Sequence, residues 1–256
     1  MKKEESRFVQ SNLFEGMVSI RAIINAVDNR ISDRKINRII ISDDKVAKRA
    51  KELSYIKARS YDLGYKIETV SAETFESLTV GNTHGGLMCE CTERTIPKLD
   101  GNLISKDGFY VMLDGIEDPY NFGYAIRSLY AAGVNGIILT PRNWMSAAGV
   151  VCRASAGASE TIPMYMCEPI EAARIFKNKN YSVICSDIKN SVSAYEASLK
   201  LPIFLVVGGE KRGISKDMLE ICDLIVRLDY KSDFGMALSA ASAASILAFE
   251  IMRQNL

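Results

Sequence analysis

Three short stretches of the chain combine charged, polar and glycine residues at spacings that can bind a ligand. The first, residues 114–127, reads DGIEDPYNFGYAIR and follows an apolar run. Pro119 and Gly123 shape a turn, and Asn121 can cap the helix that follows. Arg127, six residues beyond Asn121, can point over the carboxyl ends of a parallel sheet, where open α/β folds bind ligands. A capped helix with a surface arginine fits the same spacing.

The second stretch, residues 204–215, reads FLVVGGEKRGIS and leads from an apolar strand through a glycine-rich loop to a helix near Ser215. Gly208, Gly209 and Gly213 allow backbone to approach a ligand closely. The stretch contains neither the phosphate-loop pattern nor the dinucleotide fingerprint, so ATP and NAD are not indicated. A nucleotide-like ligand and a plain strand-to-helix turn both fit this pattern.

The third stretch, residues 228–250, includes a predicted closing helix from Ala237 to Arg253. Ser239, Ser242 and Ser245 alternate with alanines and give this helix a face of little bulk. Such a face suits either tight packing against another element or a position beside a ligand. The spacing does not choose between these interpretations.

Apolar runs between these stretches predict the elements that position them. In the second half of the chain, strands are predicted at 109–113, 136–139, 181–185, 203–207 and 224–228, with helices at 126–132 and 169–178. Strands that alternate with helices indicate an α/β fold with a mostly parallel sheet. The first half predicts a smaller α/β unit, with a helix at 18–27 and strands at 36–41, 65–70 and 87–92.

The domain boundaries follow from this alternation. Residues 93–107 lose periodicity and carry Pro97 and Gly101, so they are interpreted as a linker. The predicted organisation is a domain over 1–92, the linker 93–107 and a second domain over 108–256.

Composition narrows the chemistry. The chain has 48% hydrophobic and 25% charged residues, six cysteines and one histidine, His84. A single histidine argues against histidine-based triads and metal sites, and scattered cysteines fit free thiols in a reducing cytoplasm. The charged start predicts no secretory signal, and no apolar run reaches the ~18 residues of a membrane span, so no membrane partner is expected.

Positive charge is concentrated near the start of the chain. Residues 30–59 contain ten Lys or Arg residues against four acids. This excess can track the phosphates of a nucleic acid. A solvated helix face has the same composition.

Taken together and in this order, the three stretches resemble the motifs of the SpoU/TrmH-type branch of the SPOUT methyltransferases. Residues 121–127 resemble the N-x-G-x-x-x-R box, and residues 208–213 resemble the G-x-E-x-x-G box. Residues 237–250 resemble the family's third motif helix, and Ala154–Ala158 resembles a segment between the first two boxes. The resemblance covers about residues 108–254.

The resemblance implies more than the spacing does. It implies a catalytic domain with a deep trefoil knot, S-adenosylmethionine as cofactor, ribosomal or transfer RNA as substrate, and a homodimer. Residues 1–92 resemble the small, ribosomal-protein-like α/β domain that binds substrate RNA in such proteins. His84 matches the H-x-G segment that closes that domain, which implies a structural role for this histidine.

The family's functional residues map onto this chain position by position. The resemblance implies that cofactor is held by Gly208, Gly209, Glu210, Gly213, Leu228 and Leu238. It implies that transfer of the methyl group to a ribose 2′-hydroxyl depends on Arg127, Asn121, Glu210 and Ser239, with no metal. Arg127 of one subunit would serve the other subunit's site, positioning the hydroxyl and stabilising charge. Asn121 would orient Arg127 or the ribose, and Glu210 would hold Asn121 or shape the cofactor loop.

The third motif departs from the family pattern. Ser239 replaces an asparagine, Ala237 replaces a serine, and Leu228-Asp229-Tyr230 replaces I-P-M. These changes keep an alternative open, in which the chain is a knotted RNA-binding protein or assembly factor without catalysis. An unrelated doubly wound nucleotide-binding enzyme would need a phosphate loop after its first strand, and the sequence shows none.

Overall fold

The structure, a computed structural model, describes residues 12–79, 81, 84–140, 147–209, 212–233 and 235–256. These fall into two compact units, one of residues 12–95 with 147–161 and one of residues 96–140 with 162–256. None of the helices in these ranges is both long and apolar enough to span a bilayer.

The described elements alternate along the chain. The strands are β1 (Leu13–Glu15), β2 (Ile36–Ser42), β3 (Lys66–Val70), β4 (Leu87–Cys91), β5 (Phe109–Asp114), β6 (Gly136–Leu139), β7 (Met164–Met166), β8 (Ser182–Ser186), β9 (Val192–Ser193), β10 (Ile203–Gly208) and β11 (Leu224–Arg227). The α-helices are α1 (Gly16–Asp28), α2 (Ala50–Leu63), α3 (Ala72–Leu78), α4 (Pro119–Ala131), α5 (Ala148–Ala154), α6 (Ala158–Thr161), α7 (Pro169–Asn178), α8 (Lys216–Ile221) and α9 (Ala240–Gln254). Short 3₁₀ helices cover Asp43–Arg49 and Gly101–Leu103.

The first unit is a four-stranded sheet with helices packed on it. Its strand order is β1-β4-β2-β3, and only β2 and β3 run parallel. Helix α1 buries Ile20, Ile23 and Ile24 against this sheet at helical spacing. Helices α5 and α6, which come much later in the chain, belong to the same unit. The predicted helix at 18–27 and the three predicted strands are confirmed.

His84 has the structural surroundings expected of it. The backbone N–H of Gly86 donates to its Nδ1 at 3.1 Å, and its Nε2 lies 3.3 Å from a carboxylate oxygen of Glu76. Its ring packs against Phe75 with centroids 5.1 Å apart. These contacts tie together the turn before β4 and helix α3.

The second unit is a seven-stranded, entirely parallel sheet in the order β7-β6-β5-β10-β8-β11-β9. This confirms the predicted α/β fold, and β6 and α7 have the predicted bounds. The central strands are continuous apolar runs because helices cover both faces of a parallel sheet. The knot stays a prediction, since strand order alone does not define how the chain threads.

Two features differ from the sequence-based expectations. Helix α9 begins at Ala240 instead of Ala237, because Ser239 is its N-cap and accepts a hydrogen bond from the Ser242 N–H at 3.2 Å. Within the predicted linker, Leu99 and Ile104 are buried in the core of the second unit. The Leu99 N–H donates to the carbonyl of Met166 at 2.9 Å. The domain boundaries proposed from the sequence stay a prediction.

Candidate active site

The strand order of the second sheet reverses between β5 and β10. Strands β6 and β7, which come next in the chain after β5, lie on one side of β5 in the sheet. Strand β10 lies on its other side, and beyond β10 the sheet continues with β8, β11 and β9. Asp114, the last residue of β5, lies in register with Gly208, the last residue of β10. Open parallel sheets bind ligands outside the carboxyl ends of their strands at such a reversal. The first stretch begins at this point, and the glycines of the second stretch begin there too.

The glycine-rich loop after β10 packs directly against the loop after β5. A Cβ atom on Gly209 would lie 2.2 Å from the carbonyl oxygen of Gly115, so no larger residue fits there without moving backbone. The N–H of Gly213 donates to the carbonyl of Gly209 at 3.0 Å and closes a tight turn. Glycine at 209 therefore allows the two loops to touch.

A cavity of about 610 Å³ opens beside this turn. Pockets for small molecules and cofactors usually measure roughly 300–1,000 Å³. Five of the six residues expected to hold cofactor line the cavity, namely Gly208, Gly209, Gly213, Leu228 and Leu238. The sixth, Glu210, lies outside the described residues. Motifs that are far apart in the sequence are thus brought to one cavity by the sheet.

The cavity also has polar walls that the sequence analysis did not assign. Asp187 follows strand β8 and is half-buried at the cavity's edge. Asp229 accepts a hydrogen bond from the Arg227 Nε at 2.8 Å. Hydrogen bonds from Ser193 and from Arg227 lower the pKa of Asp229. The sequence could have identified Asp187, because a polar residue directly after a buried parallel strand lies at the ligand-binding edge of the sheet.

The residues expected to act on the substrate lie elsewhere. The helix cap is Asp118, whose side chain accepts the Asn121 N–H at 2.8 Å, so the expectation that Asn121 caps the helix is wrong. Asn121 lies in the first turn of α4, partly buried, and Arg127 lies exposed further along the same helix. Within the described ranges, the Arg127 side chain forms no ion pair. Asn121, Arg127 and Ser239 are not among the residues that line the cavity.

A second cavity, of about 560 Å³, shares Gly209 and Gly213 with the first. Its other lining residues are Asp114, Gly115, Glu117, Arg212 and Ser215. Carboxylate, guanidinium and hydroxyl groups can hydrogen-bond the hydroxyls and base edges of a nucleotide. The two cavities therefore adjoin at Gly209 and Gly213, and the residues that line the second include two acids, an arginine and a serine.

Comparison with known protein families matches both halves of the chain. Residues 108–249 match the SpoU rRNA Methylase family, and residues 20–97 match the family described as RNA 2′-O ribose methyltransferase substrate binding. The first match covers more than half of the chain and includes the first two motifs and all but the last residue of the third. The chain therefore belongs to the SpoU rRNA methylase family and is a methyltransferase by family, which confirms the resemblance inferred from the motifs.

Several relatives are similar over most of their length. The chain is 28% identical to the 23S rRNA (guanosine-2′-O-)-methyltransferase RlmB of Shewanella oneidensis over 75% of this chain and 80% of that protein. It is 24% identical to the putative TrmH family tRNA/rRNA methyltransferase YacO of Bacillus subtilis over 88% and 90%. A solved structure of an RNA 2′-O ribose methyltransferase shares the fold, with a TM-score of 0.78, 22% identity, and coverage of 98% and 95%.

Replacing Gly209 by alanine is expected to destabilise the second unit. The new methyl group must displace the backbone of Gly115, and overpacking of this kind costs about 1–3 kcal/mol. Thermal unfolding followed by circular dichroism should show a lower midpoint. Gly235→Ala is the matched control, because its Cβ would meet no atom within 4 Å and its φ does not lie in the left-handed region. Equal midpoints for the Gly209→Ala variant and the wild type would contradict the close contact.

Proposed function

We propose that this protein transfers a methyl group from S-adenosylmethionine to a ribose 2′-hydroxyl of structured RNA. The observation that carries the proposal is the convergence of Gly208, Leu228 and Leu238 on one cavity at the reversal of the sheet. The relatives named as 23S rRNA guanosine methyltransferases make ribosomal RNA guanosine the first substrate to test.

The residues of the first cavity suit this cofactor. Glycine backbone and apolar side chains such as Val207 and Leu247 can enclose a flat purine, and exposed peptide groups can hydrogen-bond its edge. Asp187 and Asp229 offer carboxylates to ribose hydroxyls or to an amino group. When bound, S-adenosylmethionine supplies a methyl group on a positively charged sulfur, which is already activated for transfer.

The chain's own contribution is then mainly positioning. Asp114, Glu117 and Arg212 around the second cavity can hold the acceptor nucleotide beside the cofactor loop. An arginine side chain carries positive charge, so Arg127 can orient the 2′-hydroxyl and stabilise negative charge that develops on its oxygen. Asn121 orients Arg127 or the ribose from the first turn of the same helix.

We also propose that the protein acts as a homodimer through helices α4 and α9, which pack against each other. Tyr120 and Tyr124 on α4 and Ile246 and Phe249 on α9 are 38–52% exposed and recur at helical spacing. Burial of this apolar face against a second copy would remove it from water. Arg127 lies on the face of α4 that carries the two tyrosines, so dimerisation would also place it against the partner.

Phe249→Glu is expected to convert the dimer to monomer. A charged side chain at the centre of an apolar contact must lose its hydration without gaining a partner, which shifts the equilibrium toward separate chains. Analytical ultracentrifugation measures the mass directly. Tyr61→Glu is the control, since Tyr61 is 89% exposed on helix α2 in the first unit. A wild-type protein that is monomeric at micromolar concentration would contradict the proposed dimer.

Contact with RNA phosphates is proposed for only part of the basic segment. Acidic partners engage Arg34, Arg38, Lys45, Arg49 and Arg59. The remaining cations of the ten are exposed and form no ion pair within the described ranges; they are Arg30, Lys35, Lys48, Lys51 and Lys57. These five are the candidates for phosphate contacts.

The cysteines, all free thiols, support the further proposal of a reducing, cytoplasmic location.

Calorimetric titration with S-adenosylmethionine, followed by transfer of labelled methyl groups to ribosomal RNA, tests the function. Nuclease digestion and mass spectrometry of the product should identify a 2′-O-methyl nucleoside. Cofactor binding without transfer to ribosomal RNA would direct the search to transfer RNA. Protein that binds RNA but not millimolar cofactor would instead support the non-catalytic RNA-binding alternative.

A further inference from the structure

The loop between β11 and α9 forms one wall of the cofactor cavity. Its described residues are 228–233 and 235–239, and Leu228, Tyr230, Met236 and Leu238 all line the cavity. Met236 is 71% and Tyr230 is 39% exposed. A bound molecule therefore contacts, on this side, a surface segment instead of the sheet core.

Tyr230 joins the two ends of this loop. Its hydroxyl oxygen accepts a hydrogen bond from the backbone N–H of Leu238 at 3.2 Å, across eight residues of chain. The bond links two residues that both line the cavity.

The cavity that Tyr230 lines combines two kinds of surface. Val207, Val226 and Leu247 supply apolar surface, whereas Asp187 and Asp229 supply carboxylates. A purine nucleoside has the same division, with a flat aromatic base and a hydroxyl-bearing sugar. Aromatic rings favour offset-stacked contacts with other flat rings, so the tyrosine ring is a suitable partner for the base.

We propose that Tyr230 is a positioning residue for the cofactor, with its ring packed on the purine and its hydroxyl fastening the loop over it. This inference rests on the proposed function, because it takes S-adenosylmethionine as the ligand. The family pattern described above has methionine at this position, and a thioether is only a weak acceptor. The hydrogen bond from the Leu238 N–H to the Tyr230 hydroxyl would thus be specific to this chain.

Two substitutions separate the ring from the hydroxyl. Tyr230→Phe keeps the ring and loses the bond to Leu238, so we expect affinity for S-adenosylmethionine to fall about three- to tenfold, the worth of one net hydrogen bond. Tyr230→Ala also loses the ring contact, so we expect a fall of about ten- to a hundredfold. Calorimetry should show the same losses for 5′-methylthioadenosine, which keeps the purine and ribose but lacks the amino-acid part.

Kinetics distinguish positioning from general structural damage. The KM for cofactor should rise in both variants while kcat changes little, because Tyr230 acts on binding and not on the transferred methyl group. Thermal midpoints without ligand should match the wild type. Tyr195→Ala is the control, since Tyr195 is 52% exposed in the same unit and does not line the cavity.

The outcomes separate this inference from the proposed function. If the wild type binds S-adenosylmethionine and the Tyr230→Ala variant binds both ligands equally well, the inference is overturned and the proposed function stands. If the alanine variant loses affinity for S-adenosylmethionine but not for 5′-methylthioadenosine, the ring does not pack on the purine and the inference is again overturned. If the wild type binds neither ligand, the proposed function fails and the inference fails with it.

Discussion

Arg127→Ala should abolish most methyl transfer while leaving cofactor binding intact. Arg127 is exposed, has no ion-pair partner among the described residues and does not line the cofactor cavity, so its removal does not alter that cavity. Loss of a group that positions the acceptor and stabilises developing charge lowers rates by about 10²–10⁴-fold. Single-turnover transfer to RNA measures the chemical step, and calorimetry with S-adenosylmethionine measures binding.

The controls for Arg127 test charge and position separately. Arg127→Lys keeps the charge but not the planar fork of donors, so only partial activity is expected. Arg174→Ala removes an exposed arginine from helix α7 in the same unit and should change nothing. Ultracentrifugation of each variant shows whether the dimer persists. Full activity in a correctly assembled Arg127→Ala protein would show that another residue does this work.

Much of the second unit could be predicted from the sequence because its signals are local. Continuous apolar runs identify buried parallel strands, and Pro169 at the start of α7 fixes that helix boundary. Glycines that follow a strand identify the loop that approaches a ligand. Each of these signals depends on only a few neighbouring residues, so one sequence is sufficient to detect them.

Features that depend on pairing between distant segments could not be predicted. The very short strands β7 and β9 exist because their neighbours in the sheet provide hydrogen-bond partners, and three or two residues carry no periodicity. The polar wall at Asp187 depends on which strands lie side by side. Nor does sequence spacing reveal that residues 147–161 pack within the first unit.

For the basic segment, too, the sequence does not show which cations are exposed to a partner. Counting cations from 30 to 59 treats Arg34 as a candidate for RNA contact, but its side chain is only 3% exposed. Its partner, Glu160, is 126 residues away in the chain. A charge count therefore overstates the surface that RNA can reach, and half of the segment's cations have structural partners.

The Arg34–Glu160 pair predicts the second large effect. The Arg34 Nε donates to one carboxylate oxygen of Glu160 at 2.8 Å, and Nη2 donates to the other at 3.2 Å. Nη1 donates to the Thr92 carbonyl at 2.8 Å, and the guanidinium lies 4.7 Å from the centre of the Phe14 ring. Burial opposes the charged form, but the charge and hydrogen bonds of Glu160 leave the pKa of Arg34 raised. Arg34 thus keeps its charge inside the first unit.

Glu160→Gln should lower the free energy of unfolding of the first unit by about 3–5 kcal/mol, because it leaves a buried guanidinium without its counter-charge. Hydrogen exchange of the amides in α1 and β4 measures opening of this unit separately from the other. Arg49→Ala is the control: the Arg49–Glu52 pair is 37% and 26% exposed and should contribute at most about 1 kcal/mol. The double variant Arg34→Met with Glu160→Met should recover much of the loss, since two apolar side chains need no counter-charge. A double variant as unstable as Glu160→Gln would show that the bond to Thr92 or the contact with Phe14, and not the charge pair, stabilises this region.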